Sequence, residues 1–239
     1  MTTRYKTQAF VFKKNDVNES DRSFSVFTEN FGRLDIFAKA IRKNASKLRS
    51  GIDTFFLSDV EFIQGKNRKT LTDAVTVKKF NNIWQDLEKF KIANKIGEVI
   101  ENFIKGEEKD GNLFNLLNET FYKLNDSGLK KERYTLLYCY FLWNALSLLG
   151  YHPEVKNCSC CHDKLIPYGV YFSNKDGGII CEKCSGKDKS AQKINSDIVK
   201  TLRIILSKDW QTLSKLKIEM SSQKLLLEVS ESAINSIIL

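Results

Sequence analysis

The sequence lacks the short motifs that mark the common classes of enzyme. It contains no GxxxxGK[ST] phosphate-binding loop, no HExxH metalloprotease motif and no GxSxG nucleophile elbow. It has only two histidines, His152 and His162, and its acidic residues form no recognisable catalytic cluster. The residue patterns therefore propose no reaction, and we predict that the chain is not an enzyme.

Long apolar runs are also scarce. The first ten residues contain no run of the length that a signal peptide needs, so none is expected. One charge-free stretch, Tyr134–Pro153, is about as long as a membrane-spanning helix. It carries the polar residues Asn144 and Ser147, and it closes with Gly150 and Pro153, a helix-stop pattern. We interpret it as a buried core helix, with a membrane span as the alternative, and expect a soluble cytoplasmic protein with no membrane partner.

Acidic residues are fewer than basic ones, and the shortage is concentrated near the start of the chain. The formal net charge is +9, and residues 1–80 hold 16 Lys and Arg against 9 Asp and Glu. Residues 81–150 hold 9 against 10, and residues 151–239 hold 13 against 10. The excess indicates an anionic partner for the N-terminal part, and a solvated lysine-rich surface is the alternative.

Apolar and polar residues alternate with a period of two in the first 80 positions, which predicts strands. Five segments rich in Phe, Val and Ile have this pattern: Thr7–Phe12, Phe24–Phe27, Leu34–Ala38, Phe55–Ile63 and Leu71–Val77. Five strands in about 80 residues fit a small closed barrel, which hides its sheet edges. Gln64–Thr70 is predicted to be a basic hairpin tip, and Gly32 is free to take a positive φ in the turn before the third strand.

After Asn81 the spacing of apolar residues changes to the one that places them on one face of a helix. Five helices are predicted: Asp86–Lys105, Leu113–Leu124, Tyr134–Leu149, Ser196–Leu206 and Gln223–Ile238. The fold class is therefore α+β, with a barrel domain at residues 1–80 and a helical domain at residues 81–239. A cysteine-rich segment, residues 158–184, is inserted between the helices.

Five of the six cysteines fall in that segment, CSCCHDKLIPYGVYFSNKDGGIICEKC. Four of them form two CxxC pairs separated by 19 residues: Cys158 with Cys161, and Cys181 with Cys184. Two such pairs supply the four thiolates of a tetrahedral Zn²⁺ site, and four protein ligands leave no open position for catalysis. A structural zinc ribbon is predicted, since so short a segment has little core of its own. Cys160 in place of Cys158, or His162 as a ligand, are the alternatives.

One stretch has no acidic residue at all. Residues 39–50, KAIRKNASKLRS, directly follow the third predicted strand and carry five positive charges: Lys39, Arg42, Lys43, Lys47 and Arg49. A barrel loop of this charge can follow a phosphate backbone while barrel aromatics stack bases, as in barrels that bind single strands without sequence preference. Lys66, Arg68 and Lys69 on the hairpin tip are second candidates. The alternative is a mobile, solvated loop.

Three separated blocks carry further motifs. They are QAFVFKKNDVNESDRSFSVFTENFGRLDIFAKA, YFLWNALSLLGYHPEVKNCSCC and FSNKDGGIICEKC. Their order and spacing resemble the bacterial RecO family of recombination mediators, over roughly half of the chain. Two positions depart from that pattern, because Ala40 and His162 stand where the family often has Gly. A different local loop turn is therefore expected at Ala40, and a strained or modified turn at His162, since Gly takes a positive φ more readily than His.

The resemblance implies an N-terminal OB barrel, a helical domain and a zinc-binding segment. It implies a non-catalytic mediator of DNA repair that binds single- and double-stranded DNA and anneals complementary strands. The implied partners are RecR, the tail of single-stranded DNA-binding protein (SSB), and also RecF and RecA, which is loaded onto SSB-coated DNA. The implied location is the bacterial cytoplasm, with the nucleoid. A nucleic-acid-modifying enzyme and a protein-binding scaffold are the alternative functions.

Overall fold

The computed structural model describes residues 3–166 and 168–238. The fold is α+β, as predicted, and it divides into two compact units between Leu129 and Lys130. The first unit therefore contains both the barrel and the helices that follow it up to residue 129. The predicted domain boundary at residue 80 coincides instead with the change from strand to helix, and it stays a prediction.

Five strands form a closed barrel at the start of the first unit, in agreement with the predicted barrel. They are β1 Arg4–Asp16, β2 Arg22–Thr28, β3 Gly32–Ala38, β4 Phe56–Gln64 and β5 Lys69–Lys79. Their order around the barrel is β1-β2-β3-β5-β4, and β1 pairs with β4 to close it. All neighbours are antiparallel except β3 and β5. The alternating apolar side chains point inward and form one buried cluster, in which Phe24, Ile36 and Val60 are fully buried.

The turn before β4 differs from the sequence prediction. Phe55 was predicted to begin the strand, but its φ is +58°, in the left-handed region, so the strand begins one residue later. The Phe55 side chain is fully buried among Trp84, Phe90 and Phe121. This aromatic packing holds a backbone conformation that a bulky residue seldom adopts.

Three helices complete the first unit. They are α1 Asn81–Trp84, α2 Leu87–Phe103 and α3 Gly111–Asn125, of which the short α1 was not predicted. Asp86 caps α2 by accepting hydrogen bonds from two backbone N–H groups, and Asp110 caps α3 in the same way with one. Phe121 of α3 packs against Phe10 of β1 with ring centroids 4.2 Å apart, which attaches the helices to the barrel.

The second unit is built around α4, Tyr134–Leu148, in which 12 of 15 residues are buried. This confirms the prediction of a buried core helix. Two of its buried side-chain donors have partners, since the Asn144 amide N–H₂ donates to the carbonyl oxygens of Tyr140 and Ile205 and the Trp143 indole N–H donates to Ser230. Three more helices surround it: α6 Ser196–Leu206, α7 Trp210–Lys215 and α8 Met220–Ile238. In the part of the chain that the structure describes, no helix has both the length and the apolar character to cross a membrane.

The cysteine-rich segment and the ten residues after it form a small sheet within the second unit. Its elements are β6 Val170–Ser173, β7 Gly178–Cys181, the one-turn helix α5 Glu182–Ser185 and β8 Gln192–Ile194. Strands β6 and β7 pair as an antiparallel hairpin, with Gly177 at φ +66° in its turn. The third strand, β8, was not predicted, because three residues are too few to show an alternation of apolar and polar side chains. The polar loop before it is ordered by Asp188, whose buried carboxylate accepts hydrogen bonds from Ser173 and Ser190.

Candidate metal centre and nucleic-acid interface

The structure brings four cysteine sulfurs together at the base of the hairpin. The ligand atoms of Cys158, Cys161, Cys181 and Cys184 all lie within 4.8 Å of one another. The Cys161 and Cys181 Sγ atoms are 3.8 Å apart. A tetrahedral ion with metal–sulfur bonds of about 2.3 Å holds its sulfurs about 3.8 Å from each other, so this cluster could hold a metal ion.

Backbone hydrogen bonds position the first pair of cysteines against the hairpin. The N–H of Ser159 donates to the carbonyl of Ile179 at 2.9 Å, and the N–H of His162 donates to the carbonyl of Cys158 at 2.8 Å. The turn keeps the left-handed conformation that a glycine would take, since His162 has φ +64°. The expected strain is therefore present, and histidine is among the residues that tolerate this region best.

The ionisation of the thiols favours a bound cation. Burial opposes ionisation of Cys158, but backbone N–H groups, including that of Cys181 at 3.3 Å, outweigh it and lower the pKa of Cys158 to about 6. Burial, and then hydrogen bonds from the neighbouring thiols, raise the pKa of Cys184. One thiolate thus forms readily, whereas four in so small a volume need positive charge between them. A divalent metal ion supplies that charge.

The two alternative ligands, Cys160 and His162, are not members of the four-sulfur group, although Cys160 packs against it. Among the described residues, the group of possible metal ligands includes neither Cys160 nor His162. The Cys160 side chain is half-buried, and its Sγ lies 3.8 Å from the ammonium group of Lys187. His162 is exposed. The geometry therefore favours the four cysteines of the two CxxC pairs.

The basic loop, residues 39–50, leaves the barrel after β3 and carries all five predicted basic side chains on its surface. Its apolar residue Ile41 is buried in the barrel core. Lys39, Lys43 and Lys47 are exposed, with no ion pair to a described residue. Arg49 is also exposed, and its guanidinium lies 3.5 Å from the Asn44 side-chain oxygen. These four side chains are available to an external anion.

Arg42 has a different environment, because it anchors the loop. Its guanidinium donates to the carbonyl of Asn18 at 2.7 Å and lies 3.4 Å from the Asp16 carboxylate. The Asp21 carboxylate accepts the backbone N–H of Ala40 at 2.7 Å, and this bond, followed by that from Asn18, lowers the pKa of Asp21. Ala40 has φ +54°, so the loop has the left-handed conformation that a Gly would take, rather than the different turn expected there. The loop is thereby fixed to the turn between β1 and β2.

A groove of about 530 Å³ lies on the outer face of β3, and the predicted hairpin tip lines one side of it. Five basic and two acidic side chains line this groove: Arg33, Lys66, Arg68, Lys69, Lys105, Asp35 and Glu107. OB barrels bind oligonucleotides on the face of strands 2 and 3, between the β1–β2 and β4–β5 loops, and this groove has that position. The hairpin-tip candidates thus lie in the groove, whereas the residues of the basic loop do not line it.

Sequence reasoning missed the groove residues of β3, although the sequence contains a signal for them. Arg33, Asp35 and Phe37 alternate with the inward-facing Leu34 and Ile36. Because side chains of a strand point to opposite faces in turn, these three share the outer face. The alternation along β3 was interpreted only as evidence for the barrel core, and not for the outer face of the strand.

One of the two acidic side chains of the groove, Glu107, comes from the loop between α2 and α3. A Cβ on Gly32 would lie 2.3 Å from the carbonyl oxygen of Glu108, so glycine alone permits this loop to approach β3 so closely. The N–H of Arg33 donates to the carbonyl of Gly106 at 3.3 Å. This docking places the Glu107 carboxylate against the ammonium group of Lys69. No local sequence pattern indicates it.

The fold and these two sites define an OB-barrel protein whose chain continues into helices and a four-cysteine ribbon. Two family models match it: Recombination protein O N terminal over residues 1–80, and Recombination protein O C terminal over residues 84–236. The chain therefore belongs to the RecO family, whose members act in DNA repair and recombination.

Individual relatives agree with this assignment. The DNA repair protein RecO of Dehalococcoides mccartyi is 34% identical over 214 residues, which cover 90% of this chain and 83% of the relative. The protein of the same name from Caldanaerobacter subterraneus subsp. tengcongensis is 29% identical, covering 89% and 84%. That of Halalkalibacterium halodurans is 25% identical, covering 90% and 82%.

Proposed function

We propose that the chain is a non-catalytic recombination mediator that binds single- and double-stranded DNA and anneals complementary strands. The observation that carries this proposal is the basic groove on the oligonucleotide-binding face of the barrel. Four exposed basic side chains of the basic loop add positive charge outside the groove: Lys39, Lys43, Lys47 and Arg49. The binding residues we propose are Lys39, Arg42, Lys43, Lys47, Arg49, Lys66, Arg68 and Lys69, with residues 1–80 as the DNA-binding domain and residues 81–239 as the helical domain.

The physics of annealing matches such a surface. Two strands that must pair are both polyanions, and a cationic protein lowers their repulsion by neutralising phosphates, while the release of condensed counterions favours its binding. Contacts to phosphates leave the base edges free, so the strands can test each other for complementarity. In this mechanism Arg42 fixes the position of the loop through Asn18 and Asp16, while the open lysines meet the phosphates.

For the four-cysteine cluster we propose a structural Zn²⁺. Thiolates are preferred ligands of zinc, and four of them at tetrahedral spacing leave no position for a reacting water. The bound ion would supply positive charge that lets the four thiols ionise together. Its role is to hold the two cysteine pairs and the β6–β7 hairpin in one fold.

The proposed partners follow from the family rather than from contacts in this chain. They are RecR and the tail of SSB, with RecF and RecA as further components of the same repair process, and RecA is the protein loaded. The proposed place of action is the bacterial cytoplasm, at the nucleoid, because a DNA repair protein works where the chromosome is.

A fluorescence assay of annealing between bare complementary strands, run without ATP or any other nucleoside triphosphate, tests the proposal. The protein is expected to accelerate pairing, and the acceleration is expected to fall as salt rises, because counterion release drives the binding. A protein that binds neither strand in dilute buffer would contradict the proposed function. An absolute requirement for ATP would contradict its non-catalytic part.

Removing the negative charge of Glu107 is expected to strengthen DNA binding. The Glu107→Gln substitution frees the Lys69 ammonium group and removes one charge that repels phosphate in the groove. An exposed ion pair is worth up to about 1 kcal/mol, so the dissociation constant for single-stranded DNA should fall by about two- to fivefold. Fluorescence anisotropy at fixed ionic strength measures this change.

Glu88→Gln is the matched control for that measurement. Glu88 also pairs with a lysine, Lys91 at 3.1 Å, but it lies on α2 and does not line the groove. The control changes the net charge equally and is expected to leave the affinity nearly unchanged. Equal gains for both variants would mean that only the overall charge matters and that the groove is not the site.

A further inference from the structure

Arg68 stands directly over an aromatic ring in the groove. The central carbon of its guanidinium lies 3.8 Å from the centroid of the Phe37 ring, which is the separation of two flat groups in contact. The Phe37 side chain belongs to β3 and is buried, with 9% of its surface exposed, while Arg68 is exposed. The ring is therefore a fixed support, and the guanidinium covers it on the solvent side.

Arg68 also differs from the other arginines of the first unit in what its charged group contacts. Their guanidinium groups all have an oxygen partner within 3.5 Å: Arg4 with Glu61, Arg22 with Asp16, Arg33 with Glu101, Arg42 with Asn18 and Arg49 with Asn44. Among the described residues, no carboxylate or carbonyl oxygen is hydrogen-bonded to the guanidinium of Arg68. Its outward face and its donors are thus open to a ligand in the groove.

The turn that carries Arg68 is held in place. The N–H of Gly65 donates to the carbonyl of Arg68 at 2.9 Å and closes the connection between β4 and β5. The neighbouring lysines, Lys66 and Lys69, line the same groove. A flat cationic group therefore shares the groove with two ammonium groups, of which Lys66 is exposed and Lys69 is paired with Glu107.

We propose that the Arg68–Phe37 pair is a stacking platform for one unpaired base, and that it gives the groove a preference for single-stranded DNA. Guanidinium planes and aromatic rings stack on nucleobases, and every base offers a face of this kind. In a duplex both faces of each internal base are covered by its neighbours, so a duplex contacts the groove through phosphates alone. The inference rests on the proposed DNA-binding function, and it adds the class of nucleic acid and the residue that distinguishes it.

The Arg68→Lys substitution tests the platform, because it keeps the positive charge and removes the flat group. We expect the affinity for an ordinary single strand to fall by about five- to tenfold, while the affinity for duplex DNA and the dependence on salt stay unchanged. A single strand of abasic deoxyribose phosphates is the second probe. Wild type and Arg68→Lys should bind this probe equally, since it has no base to stack.

Lys66→Ala is the matched control on the same hairpin tip. It removes one phosphate contact and no flat group, so it should weaken binding of ordinary, abasic and duplex DNA alike. It should reduce the slope of log affinity against log salt by about 0.7 on single strands. The platform is refuted if Arg68→Lys leaves the ordinary single strand unaffected, or weakens the abasic strand as much. Wild-type protein that binds none of the three probes would instead refute the proposed function itself.

Discussion

Replacing Cys158 with serine is expected to abolish metal binding and to unfold the cysteine-rich segment. The buried cluster of this segment consists of Cys158, Ile180 and Cys184, so two of its three members are proposed metal ligands. A structural zinc contributes about 10–16 kcal/mol of apparent binding free energy in small zinc-dependent folds, and an apolar cluster of this size cannot replace it. Elemental analysis should find one Zn²⁺ per wild-type chain and none in Cys158→Ser, and limited proteolysis should cut residues 158–184 in the variant only.

The fifth cysteine of the segment provides the control. Cys160→Ser changes the same chemical group two residues away, but the Cys160 side chain lies outside the four-sulfur cluster. It is expected to retain the metal and the protease resistance of the wild type. Loss of zinc from Cys160→Ser, or its retention in Cys158→Ser, would show that the ligand set is wrong. A wild-type protein that is folded and free of metal would contradict the structural role.

Neutralising three side chains of the basic loop is expected to weaken DNA binding by about a hundredfold at 0.1 M salt, because each phosphate contact on a single strand contributes about 0.7 to the salt slope. The substitutions are Lys43→Ala, Lys47→Ala and Arg49→Ala. They leave Arg42, and with it the anchor to Asn18, in place. The slope of log affinity against log salt should fall by about 2, and titrations at several salt concentrations measure both quantities.

A triple variant of equal charge separates a local effect from a global one. Lys91→Ala, Lys95→Ala and Lys123→Ala remove three positive charges from α2 and α3 of the same unit, outside the loop and the groove. This variant is expected to bind nearly as well as the wild type. If the two triple variants lose affinity equally, the loop is not a specific site. If the loop variant keeps the wild-type slope, the phosphates are bound elsewhere.

The sequence predicted the fold best where apolar residues recur at a regular spacing because one face of the element is buried. The barrel strands alternate in hydrophobicity because one face of each lies in the core, and the buried cluster contains inward-facing side chains of all five. The central helix was recognisable for the opposite reason, since it is apolar on almost every face and is buried on almost every face. The proximity of the four cysteines could be predicted from their spacing alone, because each CxxC pair lies in one local turn.

The parts that sequence reasoning missed depend on contacts between distant positions. The approach of the Glu108 backbone to Gly32 places Glu107 in the groove, and no local pattern encodes this approach. Phe55 was predicted to begin the fourth strand, but its packing among three aromatic side chains fixes a left-handed backbone there. The strand β8 and the helix α7 are too short, at three and six residues, to have a measurable period.

The ranking of the candidate DNA contacts also depended on information that the sequence lacks. Charge density favoured the basic loop over the hairpin tip, because the loop has five cations in twelve residues. In the structure the tip residues Lys66, Arg68 and Lys69 line the groove, while Arg42 of the loop is engaged by Asn18 and Asp16. Charge can be counted from a sequence, but the partner of each charge appears only when the chain is folded.

Annealing of complementary strands that are first coated with the SSB of the same bacterium tests the central proposal most directly. The proposal predicts that the wild-type chain, without nucleotide, pairs the coated strands much faster than they pair alone. It also predicts that the loop variant Lys43→Ala, Lys47→Ala, Arg49→Ala loses most of this acceleration. Coated strands that pair no faster with the wild-type protein than without it would contradict a strand-annealing mediator, whatever affinity the protein has for bare DNA.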